Sequence, residues 1–389
     1  MRRSQVRILV GPPEKMLLKD ITTYFDRLFK KDLALSWDNC GLLIGDLNKK
    51  ISRILITLDA DLNAVEYAKQ KKADLIFSHH PLIFNPVKRL TSGNENEKLI
   101  MEIIRSDIAV YSAHTNMDIS DFGIGSHIMK ILGLKHTGYM EPAGSQWYKF
   151  VVFVPKDYEA AVRDAMCSAG GGTWKNYSCC TFTTEGKGTF IPGSDSNPFT
   201  GQRGVLSEVQ EMRMECIISK EDISRLVDAV IKAHPYEEPA YDIYPIENRF
   251  TEGGLGHTGE FSEPLSTNDF LKRIKEGLGL KNLRFVFSKS ESDVKIKKVL
   301  LINGSADSIA KKLADFDFDA LLCGEISYHI CALISEKGKL VVETGHGESE
   351  LVFNEIVLKM LERFKQENIL DLVLYKGEAP KNLWRYFIE

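Results

Sequence analysis

The pattern of apolar and polar positions predicts an α/β fold in the first part of the chain. Apolar runs of strand length, Arg53 to Leu58, Ala73 to Phe77 and Ile108 to Ser112, alternate with segments whose apolar residues recur at helical spacing. This succession is βαβ, which implies a parallel sheet with right-handed crossovers. An amphipathic helix at Leu18 to Phe29 precedes it, and the apolar triplet inside Gly41 to Gly45 predicts a further strand.

The middle of the chain has a different order of elements. From about Lys149 the pattern reads βαββαβ, with a glycine-punctuated hairpin predicted at Tyr177 to Phe190 and a last strand at Ala240 to Tyr244. That order is typical of a ferredoxin-like α+β unit. Because the α/β pattern resumes at Gly253, we predict that residues 141–248 are inserted between a first α/β lobe, 16–140, and a second, 249–389.

The resumed part is predicted to hold strands at Val299 to Ile302, Ala320 to Cys323 and Lys339 to Glu343. A helix is predicted at Ser308 to Phe316, and a long helix follows the last strand. Glu325 and His329 are four residues apart, so we expect them on one helical face.

Composition narrows the classes of function. The 389 residues carry a net charge of −4, and their Lys and Arg residues are scattered, so no nucleic-acid partner is expected. No apolar run reaches the ~18 residues of a membrane span, and no secretory signal is evident, so a cytoplasmic protein is expected. Residues 1–15 are interpreted either as a disordered tail or as a non-native extension, in which case Met16 is the natural start.

The cysteines suggest a reducing compartment. There are seven of them, an odd number, and none forms a CxxC pair. We therefore expect free thiols, most of them as small core residues, rather than a disulfide framework.

The main candidate for chemistry is the pair His79 and His80, which follows a buried strand and is closed by Pro81. Ligands of open α/β sheets bind at the carboxyl ends of strands. Neighbouring residues of an extended chain point to opposite sides, so the pair suits two metal ions side by side, or one ion after a turn. The simpler alternative is that both histidines cap the strand and bond to the loop.

Two further strand ends carry groups that bind metals. Asp118 follows the strand at Ile108 to Ser112, and a turn carboxylate would explain it equally well. His346 and Glu350, four residues apart, would project from one side of a helix that begins there, although simple capping is the alternative.

The coincidence at three strand ends favours one converging site, with candidate ligands His79, His80, Asp118, His346 and Glu350. Three imidazoles and two carboxylates suit Zn²⁺, Fe²⁺ or Mn²⁺, and five ligands exceed what one ion needs, so two divalent ions are expected.

These motifs resemble a known family. The resemblance rests on Trp37-Asp38-Asn39 with the Gly41 to Gly45 stretch, Ser78 to Pro81, His114 to Asp118, Gly324-Glu325, and Gly345-His346 with Glu350. These motifs are similar to those of the Nif-three-like dinuclear metal-centre proteins, often labelled GTP cyclohydrolase 1 type 2 homologues. The middle segment, including His234 to Asp242, resembles the PII-like domain of the longer members. The resemblance implies a two-lobed α/β fold, metal on the five ligands above, and a toroidal homohexamer.

Two functions are compatible with these observations. The first is a metal-dependent hydrolase of a nucleotide or related small molecule, in which Glu325, His114 or His329 carries the proton. The second is a non-catalytic metal-binding or regulatory protein whose inserted domain senses a small ligand. The chain has no P-loop, no GxGxxG after a strand and no Ser-His-Asp arrangement that would identify a substrate.

Overall fold

The computed structural model describes residues 16–144, 146–248, 250–287 and 295–377, and the side chains of 308, 310 and 311 are not considered. The expectation for residues 1–15 concerns positions outside this set. The chain forms two compact units: the first comprises the residues up to Ala143 and those from Glu252 onward, and the second is Gly144–Thr251. The predicted insert, 141–248, begins and ends three residues earlier than this second unit.

The first unit begins with alternating helices and strands. Its elements up to the second unit are α1 (Leu18–Leu28), β1 (Gly41–Ile44), β2 (Arg53–Thr57), α2 (Leu62–Lys71), β3 (Leu75–Ser78), α3 (Glu95–Arg105), β4 (Ala109–Ser112), α4 (Thr115–Ile119), α5 (Ile124–Leu132) and β5 (Lys135–Ala143).

The same unit continues after the second unit. Its later elements are β10 (Gly253–Ser266), α8 (Thr267–Gly277), β11 (Arg284–Val286), β12 (Lys295–Ser305), α9 (Ala310–Leu313), β13 (Ala320–Glu325), α10 (Tyr328–Glu336), β14 (Leu340–Glu343), α11 (His346–Glu350), α12 (Val352–Glu367) and β15 (Val373–Lys376).

Two sheets organise the first unit. One has the strand order β1-β4-β3-β2-β15, and the other has the order β11-β14-β13-β12-β10-β5. Neighbouring strands run parallel from β4 through β3 and β2 to the edge strand β15 in the first sheet, and from β12 through β13 to β14 in the second. The carboxyl ends of parallel neighbours lie at one edge of a sheet, which is where the predicted ligands follow their strands.

Alternate residues of these strands face two different cores. Ile54 and Ile56 of β2 and Phe77 of β3 belong to a core that also contains Val299 of β12 and Leu340 of β14. The residues between them face outward, onto α2 and α3 from the first sheet and onto α9 and α10 from the second. The two sheets therefore share one apolar core, to which α1, α5, α8 and α12 also contribute.

The second unit has its own sheet and core. Its elements are β6 (Trp147–Pro155), α6 (Glu159–Ser168), β7 (Thr181–Phe190), β8 (Ser207–Ser219), α7 (Ile223–Ala233) and β9 (Tyr241–Pro245). The sheet order is β7-β8-β6-β9 with antiparallel pairs throughout. One face of the sheet packs with both helices around Phe150, Met214 and Val230.

The hairpin predicted at Tyr177 to Phe190 is wrong. The glycines there do not turn the chain, because Gly186 and Gly188 continue the β7 register against Glu211 and Val209 of β8. A Cβ on Gly188 would lie 2.1 Å from a carboxylate oxygen of Glu211, so this glycine provides space for a side chain of the neighbouring strand.

The expectation of free thiols throughout is also wrong. Cys167 at the end of α6 forms a disulfide with Cys179, and their Cα atoms are 4.8 Å apart. The loop after α6 returns the chain to this helix, which a count of cysteines and the absence of a CxxC pair cannot show. Cys216 and Cys323 are free and buried, as expected of small core residues.

Two expectations in the later part of the chain need correction. Glu325 and His329 do not share a helical face, because Glu325 ends β13 in register with Ser305 and α10 starts only at Tyr328. The helix predicted at Ser308 to Phe316 is a 3-10 turn followed by the short α9, because Ile309 leaves helical geometry with φ −117° and ψ 13°. Within the described ranges, none of the helices is both long enough and apolar enough to span a bilayer.

The junction between the units suggests a deletion experiment. Ala143 at the end of β5 lies directly opposite Gly253 at the start of β10, and such antiparallel partners have Cα atoms only about 5 Å apart. We predict that replacing 144–251 with a four-residue Gly/Ser linker closes a β5–β10 hairpin and leaves the first unit folded. Circular dichroism and thermal unfolding measure this result, and a chain that no longer unfolds cooperatively would contradict it.

Candidate metal centre

A short turn after β3 places His79 and His80. The backbone N–H groups of both residues donate to the Leu58 carbonyl, at 3.1 and 3.0 Å. The Ser78 hydroxyl donates to the His80 carbonyl at 2.9 Å and lies 2.7 Å from the Ser112 hydroxyl at the end of β4. His79 is completely buried, so its ring is held by packing as well as by these bonds.

The helix α4 carries Asp118 to the same place. Its Oδ1 accepts a hydrogen bond of 2.6 Å from the side-chain amide of Asn303, which lies on β12 of the second sheet. The same oxygen is 3.6 Å from Nε2 of His79. Asp118 therefore faces the histidine pair with one oxygen fixed from the opposite sheet.

The helix α11 provides His346 and Glu350 from one face, as the spacing predicted. Nε2 of His346 lies 3.5 Å from Oε1 of Glu350. Gly304 has a φ of +65°, and a Cβ there would lie 2.6 Å from Glu350 Oε1, so the glycine leaves space for this carboxylate. Glu350 is 2% exposed.

The structure brings all five predicted ligands together around Glu350. Oε1 of Glu350 is 3.7 Å from Nε2 of His79, and Oε2 is 3.1 Å from Nε2 of His80. His114 joins them, with its ring 5.3 Å from that of His79. Two overlapping sets of donors, one of His79, His80 and His114 and one of His80, His346 and Glu350, each have ligand atoms within 4.8 Å of one another.

Each of the four histidines is anchored through Nδ1. The acceptor for His79 is the Ala113 carbonyl at 2.7 Å, and the acceptor for His80 is Asp59 at 2.7 Å. The remaining two bonds join His114 to Asp38 at 2.8 Å and His346 to Glu325 at 3.0 Å. With Nδ1 engaged as the donor, Nε2 is left as the free nitrogen, which is how metal-binding imidazoles are usually oriented.

Burial and charge act against each other in this cluster. Burial lowers the pKa of His80, but the carboxylates of Asp59 and Glu350 outweigh it and raise the pKa to about 10. Burial likewise lowers the pKa of His79, and the charge of Asp118 raises it above its ordinary value. Burial raises the pKa of Glu350, whereas the neighbouring imidazoles bring it well below its usual range. The Glu350 carboxylate thus requires positive charge beside it, from protons or from a cation, whereas burial raises the pKa of Asp118.

The unsatisfied atoms of the cluster fit a bound cation. Among the residues described, Nε2 of His79, Nε2 of His80 and Oε2 of Glu350 are buried and have no hydrogen-bond partner. Buried polar atoms are rarely left unpaired, and imidazole with carboxylate suits borderline divalent ions. The residues present could therefore hold a metal ion.

The three candidate proton carriers have different positions. His114 lies in the cluster, whereas Glu325 is the acceptor that orients His346. His329 is exposed on α10, and its ring contacts Tyr328.

The sequence interpretation missed the residues that orient the ligands. Asp38, Asp59 and Asn303 bond to His114, His80 and Asp118 respectively. Asp59 and Asn303 had a usable signal, because each directly follows a strand predicted from the sequence, and Asp38 lies in the Trp37-Asp38-Asn39 motif.

These features define an α/β protein with a candidate metal centre of histidines and carboxylates between two sheets. The chain belongs to the Duf34/NIF3 (NGG1p interacting factor 3) family, whose model matches residues 16–379.

Similar proteins match most of the chain. The GTP cyclohydrolase 1 type 2 homolog of Halalkalibacterium halodurans is 35% identical over 348 residues, which is 89% of this chain and 92% of that protein. The protein of the same name from Bacillus subtilis is 33% identical and covers 94% of this chain and 97% of its own length. The crystal structure of a Bacillus cereus protein related to NIF3 superposes with a TM-score of 0.83 at 33% identity, covering 96% of this chain and 100% of that one.

The anchoring of His80 can be tested separately from the ligands. We predict that Asp59→Asn weakens zinc affinity about 10-fold, because the neutral amide oxygen can still accept the Nδ1–H bond but no longer makes the imidazole more basic. A chelator competition titration measures the change. Asp61→Asn is the matched control, since Asp61 caps α2 two residues away and Asn caps equally well. Equal affinities for the two variants would contradict the assigned role.

Proposed function

We propose that this protein binds two divalent metal ions through His79, His80, Asp118, His346 and Glu350 and hydrolyses a nucleotide or related small molecule. The convergence of these five side chains with His114 is the observation that carries the proposal. When bound, such ions would lower the pKa of a water molecule and polarise the substrate.

The position of Glu350 supports two ions rather than one. Its two carboxylate oxygens face different histidines, Oε1 towards His79 and His346 and Oε2 towards His80. A carboxylate whose two oxygens lie beside separate imidazoles would be able to help hold more than one ion. The donors, moreover, exceed what one tetrahedral ion takes from a protein.

His114 is proposed as the residue that moves a proton. Burial raises the pKa of Asp38, but hydrogen bonds from His114 and Thr115 outweigh it and lower the pKa to about 2. Asp38 is therefore a carboxylate at neutral pH and accepts the Nδ1 proton of His114. Nε2 of His114 is then free to accept a proton at the edge of the cluster. Glu325 and His329 do not have this arrangement.

The substrate class rests on the relatives. Proteins at least 33% identical to this chain are named GTP cyclohydrolase 1 type 2 homologues, which supports a purine nucleotide as the first compound to test.

The second unit supports a regulatory alternative. Its βαββαβ order and its sheet order, β7-β8-β6-β9, support a ferredoxin-like, PII-like assignment for residues 144–251. In this alternative the metal is not used for turnover, and the second unit senses a small ligand.

Metal content tests the first part of the proposal. Protein reconstituted with zinc, iron or manganese is expected to hold about two ions per chain by elemental analysis. His80→Ala and Glu350→Ala should each lose most of this metal without unfolding. His127→Ala serves as the control because His127 lies on α5 outside both donor sets. No metal after all three reconstitutions would contradict the proposal.

Turnover tests the role of His114. On a nucleotide that the metal-loaded protein hydrolyses, His114→Ala is expected to reduce kcat about 10²- to 10⁴-fold, because a positioned proton carrier contributes that much. Its metal content should be unchanged, and His329→Ala should retain wild-type kcat. Loss of metal in His114→Ala would identify this residue as a ligand instead. If the wild-type protein hydrolyses nothing in a nucleotide panel, the regulatory alternative is favoured.

A further inference from the structure

Two large aromatic side chains lie in contact with each other at the surface beside the candidate metal centre. Trp37 is 51% exposed and Phe84 is 45% exposed. Their ring centroids are 5.6 Å apart, with planes inclined at 41°. Single exposed apolar residues are ordinary, but aromatic residues grouped at the edge of a polar site indicate a binding surface.

The position of Trp37 is tied to that of His114. The two rings meet edge to face with centroids 6.0 Å apart. Asp38, the next residue, accepts the Nδ1 proton of His114. One turn of the chain thus places an exposed indole and orients the imidazole beside it.

The loop that carries Phe84 is held by the same turn. The side-chain amide of Asn39 donates to the Ile83 carbonyl at 2.5 Å. Leu82, one residue earlier, packs into the outer core of the first sheet. The ring of Phe84 is therefore placed by its neighbours and does not need to be buried itself.

The same loop also carries positive charge. Lys88 and Arg89, four and five residues beyond Phe84, line an open pocket of about 620 Å³. Glu97 also lines this pocket, and its carboxylate accepts hydrogen bonds from the backbone and hydroxyl of Thr91. Cations on the loop that presents an aromatic ring suit a planar ligand that carries a phosphate.

We propose that Trp37 and Phe84 form a stacking platform that binds the heteroaromatic ring of a phosphorylated substrate and holds it beside His114. Every nucleobase has a π face, and stacking on aromatic side chains binds it without requiring a particular hydrogen-bond pattern. The proposal rests on the proposed function for the choice of substrate class, whereas the ring contacts themselves require no metal.

Calorimetric titration with guanosine and adenosine tests the platform, with the full-length protein both zinc-loaded and metal-stripped. Trp37→Ala and Phe84→Ala are each expected to weaken nucleoside binding about five- to 140-fold, the range that loss of a stacked aromatic produces. Trp37→Phe should recover most of the affinity. Phe285→Ala is the matched control, because Phe285 on β11 is 42% exposed and lies outside the site.

Further measurements distinguish stacking of a nucleobase from other roles of the aromatic pair. Ribose 5-phosphate, which has no base, should bind equally to the wild-type protein and to Trp37→Ala. Nucleoside affinity that is unchanged in both alanine variants would overturn the proposal, as would a wild-type protein that binds neither nucleoside at millimolar concentration. If Trp37→Ala instead lowers the molar mass of the protein in light scattering and leaves nucleoside affinity unchanged, the aromatic pair is a contact between copies of the chain.

The outcome is also distinguishable from that of the proposed function. A protein that takes up no metal but binds guanosine through Trp37 would refute the metal-dependent hydrolase and retain the platform. A protein with two ions per chain and unaltered guanosine binding in both variants would refute only the platform.

Discussion

The hydrogen bond at Nδ1 of each clustered histidine is the constraint on which the candidate centre depends. An imidazole has two nitrogens and can rotate about its side chain, so a group of histidines does not by itself point at a common centre. Here Ala113, Asp59, Asp38 and Glu325 each accept one Nδ1–H bond. Three of these acceptors are carboxylates, which also make the rings more basic. The same hydrogen bonds thus set the orientation of the imidazole rings and the strength of Nε2 as a metal ligand.

These bonds can act together because two sheets meet at a rigid apolar core. The strands before His79 and His346 pack Phe77 and Val342 into that same core, and the ring of Phe353 on α12 contacts both Phe77 and His79. Close-packed interiors resist small displacements. The ligands therefore lie after strands that cannot move independently of one another. Asn303 of one sheet can for this reason hold Asp118 beside the other.

Much of the α/β architecture could be predicted from the sequence, and the reason is local. The apolar runs at β2, β3 and β4 and the helical spacing between them are properties of adjacent residues. The histidine pair directly follows β3, and the other ligands lie within seven residues of the end of β4 or β14. By contrast, β10 was missed, because its glycine-rich sequence has little strand propensity and is stabilised by pairing with β5 and β12 on both sides.

The unpredicted parts of the site depend on partners distant in sequence. Asp38 reaches His114 across 76 positions, and Asn303 reaches Asp118 across 185. No periodicity links such pairs, because only the tertiary fold brings them together. The disulfide between Cys167 and Cys179 was missed for a related reason: the count of cysteines does not show where a loop returns.

The register of Ala143 against Gly253 has a consequence for how the chain folds. During synthesis β5 must wait for β10 until roughly 110 further residues have emerged, and closing so long a loop is entropically costly. The intervening unit relieves this cost, because pairing of β6 with β9 brings Tyr148 next to Pro245. If that unit folds first, the loop that must be closed shrinks to about ten residues, and the free-energy cost of closing it falls by about 2 kcal/mol. Folding of the second unit would then make the pairing of β5 with β10 in the first unit easier.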